Sequence, residues 1–217
     1  AERNPSWAVY LIGNTVDINS LKPGADAAGN EIPWNPVAAA PNPWFVVNNT
    51  GNEDVRDRFI GQFSAKVNFT KNLYARGTIA RDWESIDYSD FNPIGTAFTP
   101  RGLFNSNQEQ NAKTNYLGII NYTPEISDNV GLNLLVGGQA DRNEYTLSTI
   151  SGRDFIVPNF ISYTNLGVLD NPSRIDTRWG TNSAFGQADF NYKTFLNLTV
   201  TGRQDWFSTL NREMNSI

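Results

Sequence analysis

FLNLTVTGRQDW, residues 195–206, sets Leu196, Leu198, Val200 and Gly202 against Asn197, Thr199, Thr201 and Arg203, and closes on Trp206. NLYARGTIARDW, residues 72–83, has the same form: Leu73, Ala75, Gly77 and Ile79 take one face and Trp83 closes it. Alternation with a period of two is the pattern of a strand whose faces meet different surroundings. In both stretches ten residues separate the first Leu from the Trp. One chain therefore repeats a strand of fixed length with an aromatic at its end.

Working outward, each stretch follows another alternating strand across a short break. Phe59, Gly61, Phe63, Ala65, Val67 and Phe69 precede the first. Ala184, Gly186, Ala188, Phe190 and Tyr192 precede the second. Between them, Tyr116, Gly118, Ile120 and Tyr122 lead through PEISDN to Val130, Leu132, Leu134, Val136, Gly138 and Ala140. Strands separated by a few turn residues read as hairpins. The three blocks are alike: their first strands begin FIGQF, YLGII and AFGQA and end NFT, NYT and NYK. This is a repeat of hairpins, predicted over 56–84, 113–141 and 183–207. The connections 85–112 and 142–182 read as long polar loops, and 1–55, with NEIPWNPVAAAPNPW broken by prolines, as a further loop region.

Composition narrows the function. Of 217 residues, 17 are Lys or Arg and 22 Asp or Glu, a net charge of −5. Nucleic-acid binding needs clustered cations to neutralise phosphates and is disfavoured. There is no Cys and no His, so Ser-His and Cys-His catalysis and most zinc sites are excluded within the chain. No metal or cofactor is expected. Asp82 with Glu84, and Asp141 with Asn143, share strand faces, but no nucleophile accompanies them and solvation is the simpler reading. No apolar run is long enough for a membrane helix, and AERNPSWAVYLIG lacks the form of a signal peptide.

Two architectures accommodate the hairpins. One is a soluble β-sandwich, which would make the chain a cell-surface binding module. The other is a transmembrane barrel. Short turns at one end and long loops at the other belong to the barrel, as does a strand of eleven residues from Leu73 to Trp83, within the roughly 9–11 needed to span. Aromatics at both ends of the apolar face form a girdle at the interfaces: Phe69, Tyr122 and Tyr192 by the turns, Trp83 and Trp206 at the far ends. In that reading Phe63, Val67, Leu73, Ile79, Leu132, Leu134, Leu198 and Val200 face lipid. A mean hydropathy of −0.44 is compatible, because only alternate residues meet the bilayer.

NPWFVVNNTGNEDVRDRFIGQFSAKVNFTKNLYARG (42–77), VPNFISYTN (157–165) and SAFGQADFNYKTFLNLTVTGRQDWFSTL (183–210) resemble the barrel of SusC/RagA-like, TonB-dependent outer-membrane transporters. The carrying motifs are Asn42-Pro43-Trp44, Asn48-Asn49, Asn52-Glu53-Asp54 and the run from Gly202 to Leu210. The resemblance implies an all-β fold of antiparallel hairpins, about six strands of a large transmembrane barrel that has about 22. It implies that a plug, a TonB-contacting segment and a closing strand lie outside this chain, which reads as a fragment. It implies a bacterial outer-membrane importer of glycans or oligopeptides, not an enzyme, with a SusD-like surface lipoprotein and the TonB complex as partners. The long connections would then be extracellular. Trp34, Trp44 and Phe45, in the first loop region, are candidates for stacking on substrate, with packing against another loop as the alternative.

Overall fold

The computed structural model describes residues 5–37 and 40–211; REMNSI beyond Asn211, and parts of the first loop region, lie outside the described residues. The strands are β1 (Gly51–Asn68), β2 (Leu73–Asn92), β3 (Leu103–Tyr122), β4 (Glu125–Ser127), β5 (Val130–Phe155), β6 (Leu166–Leu169), β7 (Ser173–Tyr192) and β8 (Leu196–Phe207). All eight belong to one sheet, ordered β1-β2-β3-β5-β7-β8, with the short β4 and β6 each pairing with β5. Neighbours in sequence are neighbours in the sheet, as in an up-and-down barrel wall. The chain is all-β, built from antiparallel hairpins. Two short helices, α1 (Pro5–Tyr10) and α2 (Pro43–Asn49), precede the strands.

The three predicted hairpins are present, and their turns lie together. Phe69 N donates to Leu73 O (2.9 Å), Thr123 N to Asn72 O (2.8 Å) and Lys193 N to Asn129 O (2.7 Å). These bonds tie each turn to its own hairpin or to the next. Lys193 takes a positive φ of 48°, the left-handed conformation that closes a short turn. The β7–β8 pairing runs without a bulge from Tyr192 opposite Leu196 to Thr181 opposite Phe207.

The strands differ from expectation in length. β2 continues past Trp83 to Asn92, β3 begins at Leu103, and β5 runs on to Phe155. The predicted loops 85–112 and 142–182 are therefore mostly strand. The connections shrink to 93–102 and to 156–172, and the latter holds a 3-10 turn (Tyr163–Asn165) and β6. The region 1–55 likewise holds α1, α2 and the start of β1.

The residues group into two compact units. One comprises Ala1–Arg56, Ile86–Glu109 and Leu147–Ile175; the other Asp57–Ser85, Gln110–Thr146 and Asp176–Ile217. The first unit has the better-defined core. Phe45, Val46 and Ala8 are buried there, as is Phe155. Asn42 starts α2: its side chain accepts from Trp44 N (3.0 Å) while Pro43 takes a position where no amide donor is needed. The Asn42 amide also donates to the carbonyls of Leu21 and Ile32 (both 3.0 Å). Glu31, 7% exposed, accepts from Asn42 N through Oε1 (2.6 Å) and from Ala97 N through Oε2 (2.8 Å). One carboxylate thus joins the helix start to the 93–102 connection. Gly24, at φ 90°, lies so close to the backbone of Phe45 that a side chain would collide with it.

This unit explains why alternation fades beyond Trp83. Its own residues cover those strand portions. Asn52 donates to the Tyr88 hydroxyl (3.2 Å), and Gly51 meets the Phe91 ring. Asp90 and Asn92 are buried at 4% and 2%. Polar Tyr88, Asp90 and Asn92 are contacted or buried on one face and Phe91 meets Gly51 on the other, so the apolar period is not continued.

Candidate functional surfaces

In the second unit the two faces of the sheet are chemically separate. On one face the polar residues join across strands. Arg58 on β1 forms a two-pronged ion pair with Asp82 on β2 (Nε–Oδ1 2.9 Å, Nη2–Oδ2 2.7 Å). The Ser64 and Thr78 hydroxyls meet at 2.8 Å. Asn115 on β3 donates to Asp141 on β5 (2.6 Å), which also accepts from Gln139. Asn121 donates to Asn133 (2.7 Å), Asn133 to Asp189 (3.1 Å), and Thr199 to Asp189 (2.8 Å). Four strands, β3, β5, β7 and β8, share that last chain of bonds. Arg203 reaches Asp205 and Ser183 (both 2.9 Å). Asp82 and Asp141 are thus occupied in an ion pair and in amide hydrogen bonds, where the sequence suggested solvation alone.

The alternate residues form the other face. Phe63, Val67, Ile79, Leu134, Leu198 and Val200 are exposed on it, and Leu73 and Leu132 are half-buried. Phe63 stands 70% exposed and Phe69 62%, on a face where Phe190 and Ala188 sit opposite Leu198 and Val200. Phe69, Tyr122 and Tyr192 border the turns, and Tyr192 packs edge-on against Phe195 at 5.6 Å. Trp206 pairs with Asn182 at the far end, and Trp83 is half-buried.

The loop aromatics are less available than their sequence context suggests. Phe45 is fully buried and holds α2 in place. The Trp44 indole N–H donates to Ile18 O (2.7 Å), and Lys22 Nζ lies 4.3 Å from its ring centre. Trp34 donates to Pro41 O (3.2 Å). For Phe45 packing is the outcome, and a role in stacking on substrate is withdrawn: no ring face is open. Sequence reading also missed Asn165. It is 3% exposed and its side chain bonds Val157 N (2.9 Å), Val157 O (2.8 Å) and Phe160 O (2.6 Å), so it fixes the VPNFISYTN loop from within. A Ser three residues ahead of a short polar loop's end, here Ser162 capping the turn, was the available signal.

An antiparallel sheet of hairpins, apolar on one face and polar on the other, is the arrangement of a β-barrel wall segment. No family model and no curated protein matches the sequence. Solved structures do match the fold. The RagAB peptide transporter superposes with a TM-score of 0.76 at 14% identity, over 82% of this chain and 20% of that chain. The RagAB peptide importer matches in its open-open state (0.75, 15%) and in its closed-closed state (0.76, 15%), with the same coverage. The chain spans about a fifth of those proteins and shares the fold of that part, as its resemblance to SusC/RagA-like barrels implied.

Proposed function

We propose that this chain is part of the barrel wall of an outer-membrane importer of the SusC type. It admits glycans or oligopeptides to the periplasm and uses energy delivered by the TonB complex. The observation that carries the reading is the fold match to RagAB over 82% of the chain, which coincides with the separation of apolar and polar faces. In this reading Phe63, Val67, Leu73, Ile79, Leu132, Leu134, Leu198 and Val200 meet lipid, and the polar ladder from Arg58 to Arg203 lines the lumen. The turns at 69–72, 123–129 and 193–195 face the periplasm, and the connections 93–102 and 156–172 face outward. A SusD-like lipoprotein would seat on the outward side. No step of the function requires bond chemistry; the wall positions and passes a substrate.

The stretch from Leu73 to Trp83 fits the bilayer in length. Ten steps of about 3.3 Å, inclined by about 45°, rise about 23 Å, close to the apolar band of about 25 Å in such barrels. The test uses the full-length protein in its native membrane. Deleting it should abolish growth on an oligopeptide or glycan mixture as sole nutrient, and loss of TonB should have the same effect. Growth unaffected by either deletion would reject import. A protease site placed at 158–160 should be cut on intact cells, whereas one at 70–72 should be protected; the opposite pattern would invert the orientation.

A further inference from the structure

The apolar face is interrupted at one level. Arg81 stands between Ile79 and Trp83 on β2, and Arg142 follows Ala140 on β5. Both arginines are exposed. Arg81 Nη1 donates to the Thr114 hydroxyl (2.9 Å). Arg142 donates to the carbonyls of Asp141 (2.8 Å) and Thr181 (3.3 Å) and to Asn182 Oδ1 (2.7 Å). Every one of these acceptors is neutral. The contrast with the polar face is direct, for Arg58 and Arg203 there each hold a carboxylate. Arg178 lies on the same cavity, paired at 3.6 Å with Glu144, which lines it too, so among the described residues the unpaired cations there are Arg81 and Arg142. Arg81, Thr114, Arg142, Arg178, Asn182 and Trp206 all border one cavity of about 580 Å³.

A second cavity, about 540 Å³, continues along the same face. Its walls are Phe63, Ile79 and Tyr116, and Gly77, Gly118 and Gly138 lie along its floor. Tyr116 borders both cavities. A side chain at Gly77 or Gly118 would meet nothing within 4 Å, so the packing of this chain does not demand glycine at either place. The glycines leave a trough that adjoins the arginine-lined cavity at Tyr116.

We propose that this trough and its basic end bind one phosphate-bearing lipid. An acyl chain lies over Gly77, Gly118 and Gly138, and the phosphate is held by Arg81 and Arg142 with Thr114 and Asn182 beside it. The forked guanidinium matches phosphate oxygens in pairs, and the level beside Trp206 is where headgroups meet an aromatic girdle. A free anion would account for the basic end and leave the trough unexplained. The proposal rests on the reading of this face as lipid-facing.

The test uses delipidated full-length protein in detergent, followed by native mass spectrometry and thermal unfolding. The probes are diphosphoryl lipid A, the same lipid without phosphates, and inorganic phosphate. The wild type should bind the phosphorylated lipid and unfold at higher temperature with it. Arg81→Gln combined with Arg142→Gln should weaken that binding about ten-fold or more. Replacement of both by Lys should restore part of it, and Arg58→Gln on the other face should leave it unchanged. Gly118→Leu should weaken lipid binding by filling the trough. If the double Gln variant fails to fold, the Lys and Leu variants carry the test. Equal binding by all variants, equal binding of the dephosphorylated lipid, or saturation by inorganic phosphate alone overturns the proposal. A detergent-dependent barrel without phosphate-dependent binding overturns the lipid site only. A full-length protein monodisperse without detergent overturns the barrel reading and the site with it.

Discussion

From Leu73 to Ile79, β2 places Leu, Ala, Gly and Ile on one face in strict alternation; from Glu84 to Asp90 the same strand puts Ser85, Asp87 and Ser89 on that face. β5 changes in the same way. Leu132, Leu134, Val136, Gly138 and Ala140 give way to Arg142, Glu144, Thr146 and Ser148, while the strand continues to Phe155. The backbone state is constant across the change. In the proposed reading, what changes is the medium that the side chains meet. Hydrophobic period therefore reports surroundings, and strand length is a separate quantity set by backbone pairing.

The largest effect should come from placing charge on the two sides of this boundary. Leu198→Arg puts a guanidinium near the middle of the apolar band and should cost about 2–4 kcal/mol. Asp87→Arg, on the corresponding face beyond Trp83, should change stability by no more than about 0.5 kcal/mol. Equilibrium unfolding of the full-length protein in lipid vesicles measures both. Equal costs would break the comparison.

Next comes the carboxylate that joins α2 to the 93–102 connection. Glu31→Ala leaves Asn42 N and Ala97 N without their acceptor, at a cost of about 2–3 kcal/mol. The damage should stay in the first unit. Limited proteolysis should find new cuts within 20–50 or 93–102, while heat-modifiable gel mobility of the barrel stays as in the wild type. Asn42→Ala removes the helix cap and leaves the Leu21 and Ile32 carbonyls without their donor, so it should cost a similar amount, about 2–3 kcal/mol, read by the same protease assay.

The smallest effect is a dependence on pH. The Asn30 backbone amide, and then its side chain, hold the Asp26 carboxyl below its usual range, with Ala28 N also donating. A carboxyl lowered in the folded state contributes stability above its unfolded value of about 3.9, and that contribution is lost as pH falls through the lower folded value. Amide protection at Ala28 and Asn30 should be constant from neutral pH down to about 5 and fall below about 4. Asp26→Asn should remove the change.

Much of the sheet was legible in the sequence because half its surface meets a single medium. The three hairpins and their turns followed from Phe63, Ile120, Leu198 and their alternating neighbours. The strand extensions were not legible. Their partners, such as Tyr88 for Asn52, come from residues far away in sequence and are polar. Asn42-Pro43 was read as a motif, and its physical content as a helix cap emerged only with α2. Arg81 and Arg142 drew no reading from the alternation alone, although a cation on an apolar face is the more informative observation.

The central claim is that the alternation marks the extent of the bilayer, and site-directed spin labelling tests it most directly. Nitroxides at each position from 196 to 206, and from 130 to 150, are examined in the full-length protein in lipid vesicles with oxygen and an aqueous nickel complex as relaxation agents. The account predicts oxygen access at 198, 200, 132, 134 and 136, and nickel access at 197, 199, 133 and 135. Beyond Ala140 both faces should respond to nickel alone. Nickel access at 198 and 200 with oxygen access at 199, or alternation that persists unchanged to 150, would contradict it.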